Sequence, residues 1–480
     1  MMRCWPLLSL SCLILCSSCG DHTTPPSHRN SSDDHPTIAE KIAHYQQENE
    51  QAQRNHDAKT FAENSLEINY LSELQKLPAE GDAPAREMLE SKYTILRQVL
   101  ADQLAARQDS GAVAAGRPSS YGLNGTMKIE VKDQVFSGPD FTSVYHPLVL
   151  DEVNKVYRDF GDLYVSANID AKGDPVAKEL RVRKPWSGYW YPFGNNWLYT
   201  GDSSPLAKLD RVLHKKGINS QITEAEKQRY AGFQPDSWEG LCDAWSLAAI
   251  MMPEPIAGRT IEGEFFSIAD LKAIYTFSHL RYSKKQYGMS YRGDAETDGT
   301  FQDIKPEAFH KLALHFLGDE NRAFVIDDMP GVQVWNKPLY RYRWLIWQDP
   351  TYDYAFLVRG YAWLVKERQQ ETEELTKNSD VVAPIYEYRL YVDKNYKKDG
   401  AYRVVAGQWL GESFDNHPDS VTVPQLNGTV GSHNAEFNKY IDEVESLFIK
   451  PGRALAPEEP KETAKEHKHR HRSDKNKTEA

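Results

Sequence analysis

Residues 237–255 read SWEGLCDAWSLAAIMMPEP. Ala244 to Met252 is a run of strong helix formers closed by Pro253, a residue that cannot continue a helix. The spacing therefore predicts a helix that begins at Cys242, just after Gly240. A thiol in that place meets the positive end of the helix dipole and free backbone N–H groups, which lower its pKa and make it a nucleophile. Gly240 permits the close backbone approach a substrate needs, and Trp238 and Trp245 flank the turn. The competing reading is an inert cysteine packed beneath the helix.

A thiolate needs a base and an orienting acid. In DIKPEAFHKLALHFLG (303–318), Pro306 opens a helix with Phe309, Leu312, Leu314 and Phe316 as its apolar residues. His310 falls in its first turns, where the dipole would keep the imidazole neutral and able to act as a base. The following β-branched run, FVID, ends at Asp327, so the chain order is Cys, His, Asp. The alternatives are a hydrogen-bonded helix histidine for His310 and a turn carboxylate for Asp327, before Pro330 and Gly331. His417, in GQWLGESFDNHPDSVTVP (407–424), is the rival base. His315 is less well placed between Leu314 and Phe316. PWSGYWYPFGNNWLY (185–199) supplies Trp186, Trp190 and Trp197 as candidate walls of a cleft.

GLCDAW, the MMPEP after it, YRGDAETDG, DIKPEAFH, FVID with VWNKP, and GQWLGESFDNHPD occur in that order. Together they resemble the transglutaminase elicitor family of oomycetes and some bacteria, over about Pro185 to Pro424. The resemblance implies an α+β chain with a papain-like cysteine core and protein-glutamine acyl transfer to an amine. It implies Cys242 as nucleophile and supports His310 and Asp327 as matched positions, with Trp335, Asn336 and His417 in shared motifs. Asp243 departs from the family, which has His after the nucleophile, and a carboxylate there would raise the thiol pKa. A cysteine peptidase or amidase and an inactive surface module that binds a peptide are the alternative functions.

Asp294, Glu296, Asp298 and Asp303 surround Gly299 with a spacing similar to an EF-hand loop, but Lys305 stands where the bidentate Glu belongs. A solvated acidic loop is favoured, no cofactor is required, and the resemblance leaves calcium open. His467, His469 and His471 belong to a basic tail read as solvated. There is no GxGxxG and no Walker A loop, and the net charge of −12 argues against a nucleic-acid binder.

The organisation follows from composition. Of five cysteines, Cys4, Cys12, Cys16 and Cys19 crowd the start and only Cys242 lies in the body, so no disulfide framework is possible. An apolar stretch from Leu7 to Cys16 precedes Ser17, Ser18 and Cys19, as in a bacterial lipoprotein signal peptide over 1–18. Cys19 would then carry lipid and place the protein in the bacterial cell envelope. A flexible tether is expected over 19–36, helices over 37–110, a mixed connecting region over 111–184, the catalytic body over 185–424, a helix within 425–452 and the basic tail over 453–480. Partners on this reading are a glutamine-bearing protein or peptide, an amine and the membrane.

Overall fold

The computed structural model describes residues 36–454, apart from 56–57, 78–82, 110–125, 132–133, 140–149, 195–196, 290–302, 330–332 and 415. The signal sequence, the tether, the acidic loop before Asp303 and most of the basic tail lie outside the described residues. Three helices lead: α1 (Ile38–Arg54), α2 (Ala58–Lys76) and α3 (Ala83–Asp109). In α3, Leu89, Tyr93, Leu96 and Val99 recur at helical spacing, and with Leu66 of α2 they pack on Ala355, Tyr391, Val405 and Ala406. None of the described helices is long and apolar enough to cross a membrane.

A hairpin, β1 (Thr126–Val131) and β2 (Gln134–Pro139), is followed by α4 (Leu150–Phe160), β3 (Tyr164–Val165) and β4 (Lys178–Arg181). Next come α5 (Pro205–Lys215), α6 (Ile222–Arg229), α7 (Cys242–Met251), β5 (Arg259–Ile261), β6 (Glu264–Phe266), α8 (Ile268–Ser278) and β7 (Lys284–Gly288). After α9 (Pro306–Ala313) run β8 (Phe324–Asp327), β9 (Asn336–Gln348), β10 (Ala355–Val365), β11 (Val381–Val382), β12 (Ile385–Lys398), β13 (Ala401–Trp409) and β14 (Ser420–Pro424). Ten strands form one sheet in the order β3-β13-β12-β10-β9-β8-β14-β7, with β4 beside β9 and β11 beside β10. The architecture is mixed α+β, with a helical N-terminal region and a central sheet.

Strand parity decides what meets what. The helix α9 lies on one face of the sheet, where Phe309 packs on Tyr342, Tyr386 and Trp409. Just beyond it, Phe316 meets Phe324 of β8 with ring centroids 6.1 Å apart, so Phe324 points to that face. Successive strand residues alternate, so Asp327, three positions on, points to the other. That opposite face carries α7, whose Ser246 hydroxyl donates to the Asn336 carbonyl at 2.8 Å.

The helix expected within 425–452 is interrupted. Ala435–Asn438 and Ile441–Val444 are separate short pieces, because Tyr440 leaves helical geometry at φ −116° and ψ 22°.

Candidate functional site

Cys242 opens α7, as its local sequence implies, and the residue before it, Leu241, supplies no side-chain cap. Apart from Asp243 and Met251 every residue of α7 is buried, so the helix runs through the core and not along the surface. Asp243 earns its place at the first turn: it accepts from the Ala244 N–H at 2.7 Å and from Lys284 Nζ at 2.7 Å, and its charge suits the dipole.

The thiol is enclosed, with Cys242 only 7% exposed. Its Sγ donates to the Val334 carbonyl at 3.5 Å and accepts from Asn336 Nδ2 at 3.7 Å. Asn336 starts β9 and pairs with Asp327 at the end of β8, which brings the Asp327 carboxylate into the thiol's field. Asp327 is itself fully buried and its Oδ1 accepts from the Trp335 N–H at 2.8 Å. The wall above is aromatic. The Trp190 carbonyl accepts from the Leu241 N–H at 2.7 Å, and its indole lies against Gly240 and 5.3 Å from the Trp335 ring. A Cβ at position 240 would sit 2.5 Å from the Trp190 ring, so this close approach requires glycine.

The electrostatics oppose the thiolate expected from the helix start. Burial first, then the Asp243 charge, pushes the Cys242 thiol up to about 12, with Asp327 adding in the same direction and the Asn336 N–H groups only partly offsetting them. At pH 7 such a group is ionised in about one molecule in 10⁵. The resting side chain is a thiol.

His310 stands apart from Cys242. It is buried on the α9 face of the sheet, where Nδ1 pairs with the Tyr388 hydroxyl at 2.5 Å and that hydroxyl pairs with Tyr342 at 2.6 Å. Its ring packs against Tyr342, Trp344 and Tyr388. The imidazole is neutral, as expected, but burial is the main cause, pushing it down to about 3. His310 therefore bonds to neither Cys242 nor Asp327, and the sheet lies between them. His417 does not replace it: Nδ1 pairs with the Ser413 carbonyl at 3.0 Å, Nε2 with Asp303 at 3.2 Å, and the ring stacks on Trp409.

The aromatic residues divide. Trp186 is core, 1% exposed, with its indole N–H donating to the Met252 carbonyl at 3.1 Å. Trp190 forms the wall, and Trp197 is 56% exposed. Of the acidic loop, Asp303 is described and is engaged by His417. Among the described residues no three His, Cys, Asp or Glu side chains gather as a metal site. Local sequence does not mark Val334 or Asn336 as a partner of the thiol, although Asn336 falls in one of the motifs of the resemblance.

Comparison with known proteins agrees with that resemblance at a distance. The transglutaminase elicitor family profile matches residues 210–447. The GP42 transglutaminase from Phytophthora sojae, known from its crystal structure, is 18% identical over 64% of this chain and 98% of its own, with a TM-score of 0.46. The curated proteins give no match. The chain is thus a distant match to the transglutaminase elicitor family through its central region.

Proposed function

We propose that this chain is a transglutaminase-related module that binds a peptide against the aromatic wall beside Cys242 and holds its cysteine unactivated at rest. The observation that carries this reading is the thiol's set of partners. A main-chain carbonyl, a carboxamide and the fields of two carboxylates surround it, and among the described residues no imidazole bonds to it. General-base activation of a thiol needs a proton acceptor within about 3 Å, directly or through one water. Trp190 and Trp335 are the material for binding, being broad and rigid.

A second reading is favoured by the helix-start position and the Asn336 N–H groups aimed at sulfur. In it Cys242 Sγ attacks a glutamine carboxamide, ammonia leaves, and the thioester passes to an amine; with water in place of the amine the reaction is that of an amidase or peptidase. The lipid on Cys19, the envelope location and any response to calcium belong to the same proposal and rest on sequence.

The test is incorporation of a fluorescent primary amine into a glutamine-bearing protein by wild type and Cys242→Ala, with and without calcium. A peptide-dependent change in tryptophan fluorescence is followed in parallel. The binding reading expects a fluorescence change in both forms and equal, background incorporation. Incorporation lost in Cys242→Ala would transfer the assignment to the second reading.

A further inference from the structure

Between β10 and β11 the chain leaves the sheet, and residues 366–380 cross over the aromatic segment that walls the cysteine. The crossing is held by specific bonds. The Arg368 N–H donates to the Gly188 carbonyl at 2.9 Å, and Arg368 bridges Tyr189 as if adding a strand. The Ser187 N–H donates to Thr376 Oγ1 at 2.6 Å, and the Ser187 hydroxyl to the Lys366 carbonyl at 2.7 Å. Thr376 in turn donates to Glu254 through its N–H at 2.9 Å and its hydroxyl at 3.0 Å. Lys272, almost fully buried, ties Glu254 to the carbonyls of Ser187 and Glu374.

The crossing is fastened to the wall, but it is not close-packed. Lys366, Arg368, Thr372, Glu374, Lys377 and Asp380 line a cavity of about 370 Å³. All of these residues belong to the crossing itself, so the hollow lies within the loop and opens to solvent. Tyr191, at the far end of the fastened segment, holds a left-handed φ of 46°, a strained conformation for a side chain of its size. Trp190, between the fastened Gly188 and the strained Tyr191, is the residue that lies on Gly240 and against Trp335.

We propose that residues 366–380 are a proton-sensitive strap over the Cys242 site: with Glu371 neutral the strap holds residues 188–191 in place and the thiol stays buried, and with Glu371 ionised the strap lets go. Glu371 faces Tyr191 of the wall, Asp270 at the start of α8, Lys208 of α5 and Glu373 of the strap itself. Its Oε1 is buried with no hydrogen-bond partner among the described residues. Asp270 is already engaged by Lys208 at 2.6 Å and by the Ser267 N–H at 2.8 Å, so the local cation is spoken for. Burial first, then the Asp270 charge, pushes Glu371 up to about 7.

The direction follows from linkage. A carboxyl near 7 in the closed state and near its ordinary value when released favours the closed strap below about pH 4.5. That preference weakens up to tenfold per pH unit between about 4.5 and 7 and then levels off.

Reaction of Cys242 with 4,4′-dithiodipyridine, followed on its own peptide by mass spectrometry in the full chain, tests it from pH 5 to 8. The wild-type rate divided by that of Glu371→Gln should rise at least tenfold between pH 5 and 7 and stay level above 7.5. Tryptic cleavage after Arg368 should follow the same curve. A ratio that does not change with pH overturns the proposal. Thr376→Val, which removes the hydroxyl bonds to Ser187 and Glu254, should raise labelling by a similar factor at every pH, and labelling equal to wild type would also overturn it.

Discussion

Asp243→Asn tests the balance that keeps the cysteine a thiol. Reaction with iodoacetamide at pH 7 follows the thiolate fraction. That fraction is about 3% for an ordinary exposed cysteine, with a pKa of about 8.5. For Cys242, at about 12, it is about 10⁻⁵, so wild type should label about three thousand times more slowly than glutathione before any steric protection. Asp243 is the second largest cause of the shift, after burial. Two unit charges about 6 Å apart at an effective dielectric constant of roughly 40 interact by about 1.4 kcal/mol, or one pKa unit. The pairing of Asp243 with Lys284 at 2.7 Å screens part of this, so removing the charge should speed labelling about threefold to tenfold. Asn keeps an oxygen for the Ala244 N–H, so the helix start should survive. The assay is the pseudo-first-order rate on the Cys242 peptide from pH 6 to 10. Wild type should rise by one log unit per pH unit from pH 7.5 to 10, above the range in which Glu371 acts. A plateau below pH 9, or a rate slower in Asp243→Asn, would refute the reasoning and show that the helix start and the Asn336 donors outweigh burial.

Two further perturbations bear on the frame around the site. His310→Ala should cost about 2–4 kcal/mol in urea unfolding, since it opens a cavity and strips a partner from Tyr388, while Cys242 labelling stays unchanged because the sheet separates the two. Glu307, 1% exposed with Oε2 lacking a hydrogen-bond partner among the described residues, is pushed up to about 7 chiefly by burial. A carboxyl raised in the folded state favours folding most below its unfolded value, and this advantage is lost as pH rises from about 4.5 through 7. Glu307→Gln should therefore gain about 2–3 kcal/mol on wild type between pH 5 and 8, measured by urea midpoints; a difference independent of pH would reject the buried carboxyl as the cause.

Some of this protein was legible in local sequence. The helix from Cys242 could be read because its causes are local: a run of helix formers, a small residue before it, and Pro253 after it. The strand ending at Asp327 and the helix opened by Pro306 were read for the same reason. Chain order could not say which face of the sheet a residue serves. His310 and Asp327 lie 17 positions apart, and whether they meet depends on the parity of β8 and on which side α9 docks, both settled by packing.

The thiol makes the same division sharper. Sequence placed Cys242 at a helix N-terminus beside Asp243, and those two neighbours push its pKa in opposite directions. Burial decides between them, and it comes from distant segments: Trp190 lies 52 positions before the cysteine, and Val334 and Trp335 lie more than 90 after it. By itself the sequence determined that the one cysteine of the body would begin a helix, because backbone preferences act over a few residues. Only the tertiary structure decided that it would rest as a protonated thiol with no described histidine bonded to it, because desolvation and strand parity are set by residues that folding brings together.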